Sequence, residues 1–119
     1  MTTQETLERY FAAIHTGGWE AFVAEAFTFV NNSLDRVAHG KAAYLEGAGR
    51  FFRSSTAVEL RQVLIDGNRA AVLARYHLRS PQGSSGTCDV AEFLTFADGL
   101  LTASAIFFDT KALTEFMTR

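Results

Sequence analysis

The chain has 119 residues, of which 48% are hydrophobic and 20% are charged, and its formal net charge at pH 7 is −2. This length suits one domain with a single core, residues 1–119, and the composition excludes a disordered chain. Because the net charge is small and negative, we expect neither nucleic acid nor an anionic membrane as a partner.

Cysteine content and hydropathy bear on the compartment. The single cysteine, Cys88, excludes an internal disulfide and is typical of a reducing environment. The first ten residues lack the basic and apolar pattern of a signal peptide, and no apolar run approaches the ~18 residues of a membrane span. The sequence therefore predicts a cytoplasmic protein.

Helical patterns dominate the first half of the chain. Thr2 and Glu5 have the spacing of a capping box, and the apolar residues after them recur with the period of a helix that ends at a glycine pair. A shorter helix is predicted over residues 19–26, followed by an alternating strand over residues 27–33. A third helix is predicted over residues 41–52.

The second half of the chain alternates apolar and polar residues in four segments, which is typical of β-strands. These segments are residues 56–65, 68–79, 87–96 and 100–108. Asp-Gly pairs separate the first two and the last two, and such pairs favour two-residue hairpin turns. A last short helix begins at Asp109 or Thr110. This order predicts an α+β fold in which a curled antiparallel sheet wraps around the helices and leaves a concave mouth for a small molecule.

Two polar residues, Arg75 and His77, occupy alternate positions of the second of these strands. A two-residue turn at Asp66-Gly67 places Val58 opposite Arg75. In the same register Thr56 lies opposite His77, and both polar side chains face the concave side. A three-residue turn shifts the register by one position and directs both side chains outward. If they face inward, His77 is the candidate general acid or base and Arg75 orients a ligand oxygen.

The same strand is apolar on its other face, and so is the last strand of the sheet. A sheet with two apolar faces needs cover on both sides. We therefore expect the helices to cover one face and a second copy of the chain to cover the other, as a homodimer formed through the sheet.

The order of elements resembles that of the NTF2-like superfamily, in its SnoaL-like branch. Three short signals carry the resemblance over nearly the whole chain: "FTFVNN...HGKAAY", "EFLTFADGLL" and "IFFDTKAL". The resemblance implies an NTF2-like cone whose pocket holds a small hydrophobic molecule. The superfamily includes polyketide cyclases, steroid isomerases, epoxide hydrolases, dehydratases and proteins without known catalysis, so the fold does not define an activity.

The resemblance also suggests site residues. Asn32, or its neighbour Asn31, matches an asparagine on the first strand of the epoxide-hydrolase members, and Arg75 matches an arginine on a middle strand. His77 and Ile106 stand where those members have aspartates, so that reaction lacks its two carboxylates here.

Three further residues have two interpretations each. Asp109 is the nearest candidate for the aspartate that the cyclase members have near the end of the last strand, but it also has the position of an N-cap for the last helix. Glu92 lies within a strand, either in an ion pair with Arg75 or as a catalytic acid. Tyr10 is either a core aromatic or part of the pocket rim.

Two functional hypotheses result. In the first, the protein binds a small hydrophobic molecule and transfers a proton without a cofactor or a metal. Its predicted catalytic residues are His77 and Asp109, and its predicted ligand-binding residues are Arg75, Asn32, Tyr10 and Glu92. In the second, the chain is a non-catalytic binding or structural module whose pocket holds a ligand or is filled by phenylalanines. The eleven phenylalanines favour the second hypothesis and the polar run "ARYHLRS" favours the first.

Overall fold

A computed structural model describes all residues, 1–119. Three α-helices, one 3-10 turn and six strands follow in chain order: α1 (Thr3–Thr16), the 3-10 turn (Trp19–Phe22), β1 (Val23–Asn31), β2 (Arg36–His39), α2 (Lys41–Ser54), β3 (Ser55–Asp66), β4 (Arg69–Arg79), β5 (Ser85–Ala97), β6 (Leu100–Phe108) and α3 (Thr110–Met117). The strands form one curved sheet in the order β2-β1-β6-β5-β4-β3. The β1–β6 pair is parallel and the other pairs are antiparallel. The predicted α+β class is confirmed.

Helix α1 begins with the predicted capping box. The Thr2 hydroxyl accepts a hydrogen bond from the Glu5 backbone N–H, and the Glu5 carboxylate accepts one from the Thr2 backbone N–H. These bonds satisfy amides that the helix start leaves free. The apolar stripe buries Leu7, Tyr10 and Phe11 completely or nearly so. This face anchors the helix against the core.

The predicted second helix is wrong beyond its first turn. Trp19–Phe22 forms a single 3-10 turn, and β1 starts at Val23. Val23 is buried and pairs with Leu101 of β6, so sheet pairing overrides the local helical pattern.

The strand β2 was not predicted. It forms a hairpin with β1 across a turn that holds Asp35 at a positive φ of 51°.

The β3–β4 hairpin departs from the predicted register in two ways. Its turn is formed by Gly67 and Asn68, one position later than predicted, which shifts the pairing by two and leaves the faces unchanged. A β-bulge at Arg61 then shifts the pairing by one, and a shift of one exchanges the faces. Arg75 therefore lies opposite Glu59 on the outer face of the sheet. Of the two orientations that the sequence left open, the outward one is observed, and the inward one, on which the catalytic role of His77 depended, is wrong.

The β5–β6 hairpin has the predicted two-residue turn. Ala97 pairs with Leu100, and the intervening Asp98 and Gly99 have positive φ angles of 52° and 76°. Positive φ at both positions is the geometry that favours Asp-Gly in such turns.

The concave face of the sheet carries the core. On β4 the residues Val72, Ala74, Tyr76 and Leu78 are buried, while the residues between them are partly exposed on the outer face. Helix α2 packs against β1, β2 and β3 across the concave side.

No helix of the structure combines the length and apolarity that a bilayer crossing requires. The cytoplasmic location stays a prediction.

Candidate functional site

A cavity of about 360 Å³ lies between α2 and the concave face of the sheet. This volume is near the lower end of the ~300–1,000 Å³ range of small-molecule sites. The walls are mainly apolar, and their apolar members include Phe29, Phe51, Phe52, Val90, Ile106 and Phe108. These phenylalanines line the space and leave it open.

Small residues on α2 keep the space open. Ala43, Gly47 and Ala48 face the cavity, and a Cβ atom built on Gly47 would have no other atom within 4 Å. Gly49, two residues on, differs because a Cβ there would lie 3.9 Å from the Trp19 ring and 3.3 Å from Arg53. The two glycines therefore differ in their surroundings: Gly47 borders open space, whereas Gly49 lies close to the side chains of Trp19 and Arg53.

One carboxyl group, that of Glu92, lies in the cavity wall and is only 6% exposed. The Tyr76 hydroxyl donates a hydrogen bond of 2.7 Å to its Oε2. Burial raises the pKa of Glu92 from 4.5 to about 7, although the bond from Tyr76 acts in the opposite direction. Near neutral pH this carboxyl can therefore both accept and return a proton. The predicted ion pair with Arg75 is wrong, since the hydrogen-bond partner is Tyr76.

Two more tyrosines stand near this carboxyl. Tyr44 of α2 lines the cavity, and its hydroxyl lies 2.8 Å from the hydroxyl of Tyr10. Burial raises the pKa of Tyr44 well above its ordinary value, so the hydroxyl keeps its proton. Tyr10 is 1% exposed and does not line the cavity. Of its two predicted roles, core aromatic and part of the pocket rim, Tyr10 therefore has the first. Its hydroxyl positions the Tyr44 side chain.

The asparagine at the end of β1 that faces the cavity is Asn31, not Asn32. Asn31 is buried, lines the cavity, and accepts a 3.2 Å hydrogen bond from the Leu34 backbone N–H. Asn32 is exposed. Since adjacent strand residues point to opposite faces, only one of the two can face a ligand.

The remaining predicted residues lie outside the cavity. Arg75 donates two hydrogen bonds, of 2.8 and 3.0 Å, to the Asp89 carboxylate on the outer face. His77 pairs with Glu59 on the same face. Asp109 is the N-cap of α3, where its Oδ1 accepts a 2.9 Å hydrogen bond from the Ala112 backbone N–H.

Among the polar residues of the wall, sequence reasoning missed four, namely Tyr44, Tyr76, Arg36 and Arg50. Tyr76 stands between Arg75 and His77, whose orientation the sequence left open, so strand alternation selects it as an inward residue once those two face outward. Arg36 lies on β2, the strand without a recognisable pattern.

Comparisons with known proteins agree with this architecture. The family model of the SnoaL-like domain matches residues 7–104. A crystal structure from Jannaschia sp. CCS1, described as a SnoaL-like polyketide cyclase, is similar with a TM-score of 0.82 and 18% identity over 98% of this chain and 91% of that one.

Two further crystal structures are similar. TerC, co-crystallised with polyporic acid, has a TM-score of 0.80 and 20% identity, and the match covers 98% of both chains. An NTF2-like protein of unknown function from Burkholderia pseudomallei has a TM-score of 0.80 and 18% identity, again over 98% of both chains. At these identities the likeness shows the fold alone. No curated protein matches the chain.

Proposed function

The chain belongs to the SnoaL-like domain family, and from this premise we propose that it binds a small hydrophobic molecule beneath α2 and transfers a proton with Glu92, in a reaction that uses no cofactor. The observation that carries the proposal is a single buried carboxyl with a pKa of about 7 in the wall of an apolar cavity. A buried carboxyl with a perturbed pKa in a cleft is a physical marker of acid–base chemistry.

In the proposed reaction, ionised Glu92 removes a proton from a carbon next to a carbonyl group of the ligand. The resulting enol or enolate then takes a proton at another position, as in an isomerisation, or attacks a second carbonyl, as in a cyclisation. The Tyr76 hydrogen bond holds the carboxyl in place. If Tyr10 donates to Tyr44, the Tyr44 hydroxyl is free to donate to the developing oxyanion.

Deuterium exchange tests this role. The α-hydrogens of 2-indanone and 2-tetralone exchange in D₂O, and ¹H NMR measures the rate with and without protein. We expect Glu92→Gln to lose about 10²- to 10⁴-fold of the protein-dependent rate, the usual contribution of a general base. The wild-type rate should rise with pH and level off above about 7, because the ionised carboxyl is the base.

The matched control is His77→Gln, which removes an imidazole from the outer face of the sheet and should leave exchange unchanged. Exchange that survives in Glu92→Gln would overturn the assigned role. Ketones that bind in the cavity without any faster exchange would instead support the non-catalytic binding module, the second hypothesis.

We also propose that two copies pair through the outer face of the sheet. Phe93 is 52% exposed and Phe107 is 49% exposed, and small or apolar residues flank both across the neighbouring strands. Adjacent exposed aromatics on a sheet are typical of a protein interface. Sedimentation equilibrium should give a dimer for the wild type and a monomer for Phe93→Glu. A monomeric wild type would refute this pairing and leave the cavity chemistry unaffected.

A further inference from the structure

Two arginines at the cavity mouth have no partner within the chain. Arg36 on β2 and Arg50 on α2 both line the cavity, and both are exposed. The ion pairs of the structure join Arg69 to Asp66 and Arg75 to Asp89, and Glu59 is hydrogen-bonded to His77, so neither mouth arginine has an acidic partner.

Acidic residues stand near both arginines in the sequence without pairing to them. Asp35 precedes Arg36, and Glu46 lies one helical turn before Arg50, a spacing at which ion pairs commonly form. Neither carboxylate is within 4.0 Å of a guanidinium nitrogen. Both guanidinium groups are therefore available to a ligand.

The buried carboxyl does not satisfy these arginines either. Glu92 has Tyr76 as its hydrogen-bond partner and lies in the buried wall, whereas Arg36 and Arg50 are at the surface. The cavity thus has an exposed cationic mouth, apolar walls and an acidic group at depth. An anion on the ligand is attracted to the mouth and repelled by the ionised form of the buried carboxyl.

We propose that the ligand of this cavity is a small apolar molecule with one anionic oxygen group, a carboxylate or an acidic enolate, which Arg36 and Arg50 bind at the mouth. This inference rests on the proposed function, because it takes the cavity as the ligand site. The arginines select the ligand and set its direction: the anion lies outermost and the apolar part reaches Glu92. Arginine suits this task because its planar donors match two anionic oxygens.

A pair of isosteric probes tests the inference. The probes are 2-naphthoate, which is ionised at pH 7, and 2-naphthamide, which is neutral, and titration calorimetry gives both values of Kd. We expect the wild type to bind the carboxylate about tenfold more tightly, as for two exposed ion pairs. The Arg36→Gln/Arg50→Gln variant should lose that preference and keep its Kd for the amide. Added salt should reduce the wild-type preference.

Arg61→Gln is the matched control, since it removes one exposed arginine that does not line the cavity. The Arg61→Gln variant should still bind the carboxylate more tightly than the amide. Gly47→Leu places a larger side chain in the cavity lining and should weaken the binding of both probes. Such a loss would show that both probes bind in the cavity.

The outcomes separate the two proposals. Equal binding of carboxylate and amide by the wild type, or a preference that survives in the double variant, overturns the anion inference alone. If neither probe binds, or if Gly47→Leu leaves both Kd values unchanged, cavity binding itself is refuted and the inference with it.

Discussion

Replacing Glu92 by glutamine should make the protein more stable at alkaline pH. The folded state raises the pKa of this carboxyl from 4.5 to about 7, so between these pH values the folded chain holds a proton that the unfolded chain has released. Stability therefore falls as the pH rises through this window, and the loss is complete above about pH 7.

The magnitude follows from the two pKa values. The difference between 4.5 and about 7, at about 1.36 kcal/mol for each pKa unit, means that the ionised carboxyl costs about 3 kcal/mol of folding free energy. Glutamine has nearly the same shape, and its carbonyl oxygen can accept the Tyr76 hydrogen bond. It cannot ionise, so the variant avoids this cost.

Urea unfolding of the wild type and Glu92→Gln at several pH values from 4.5 to 8.5 measures the effect. The free energy of unfolding of the variant, minus that of the wild type, should rise by about 3 kcal/mol across the range. Subtraction cancels the titration of groups that the two proteins share, and equal m-values would show that the unfolded states are comparable. A difference that stays flat with pH would falsify the argument that Glu92 is desolvated.

Two substitutions away from the cavity test the local packing. Asp109→Ala should destabilise the protein by about 1 kcal/mol, because the Ala112 amide loses its cap, yet leave the Kd of a cavity ligand unchanged in calorimetry. A large change in Kd would instead support a direct role for Asp109. Gly86→Ala would bring a Cβ within 2.5 Å of the Phe116 ring, and we expect a loss of about 1 kcal/mol as α3 shifts. In a Phe116→Ala background the same substitution should cost nothing; an equal cost in both backgrounds would mean that the ring is not the obstacle.

Elements with local signals were predictable from the sequence. The capping box of Thr2 and Glu5 placed the start of α1, and the Asp98-Gly99 pair placed the β5–β6 turn. Asp109 was recognised as a possible cap because an acidic residue stands directly before a helical pattern. Each of these signals depends on residues within a few positions of one another, so no tertiary information is needed.

The candidate site was less predictable because it depends on register. The bulge at Arg61 has no signature in an alternating pattern, yet it changes the partners of β4, so that Val58 pairs with Tyr76 and Glu59 with Arg75. Glu92 was named as a candidate, but its partner was not, because a cross-strand partner follows from the pairing of β4 with β5. A local pattern therefore identified the strand and one site residue, whereas the partners of that residue depend on strand pairing and helix packing over long distances in the sequence.

The protonation of Glu92 is the central claim, and a direct titration tests it. The carboxyl ¹³C resonance of labelled glutamate is followed against pH, with the Glu92 signal assigned by its absence in Glu92→Gln. The structure predicts a midpoint at about 7. A midpoint near 4.5, the ordinary value for glutamate, would contradict both the desolvation of this carboxyl and the chemistry proposed for it.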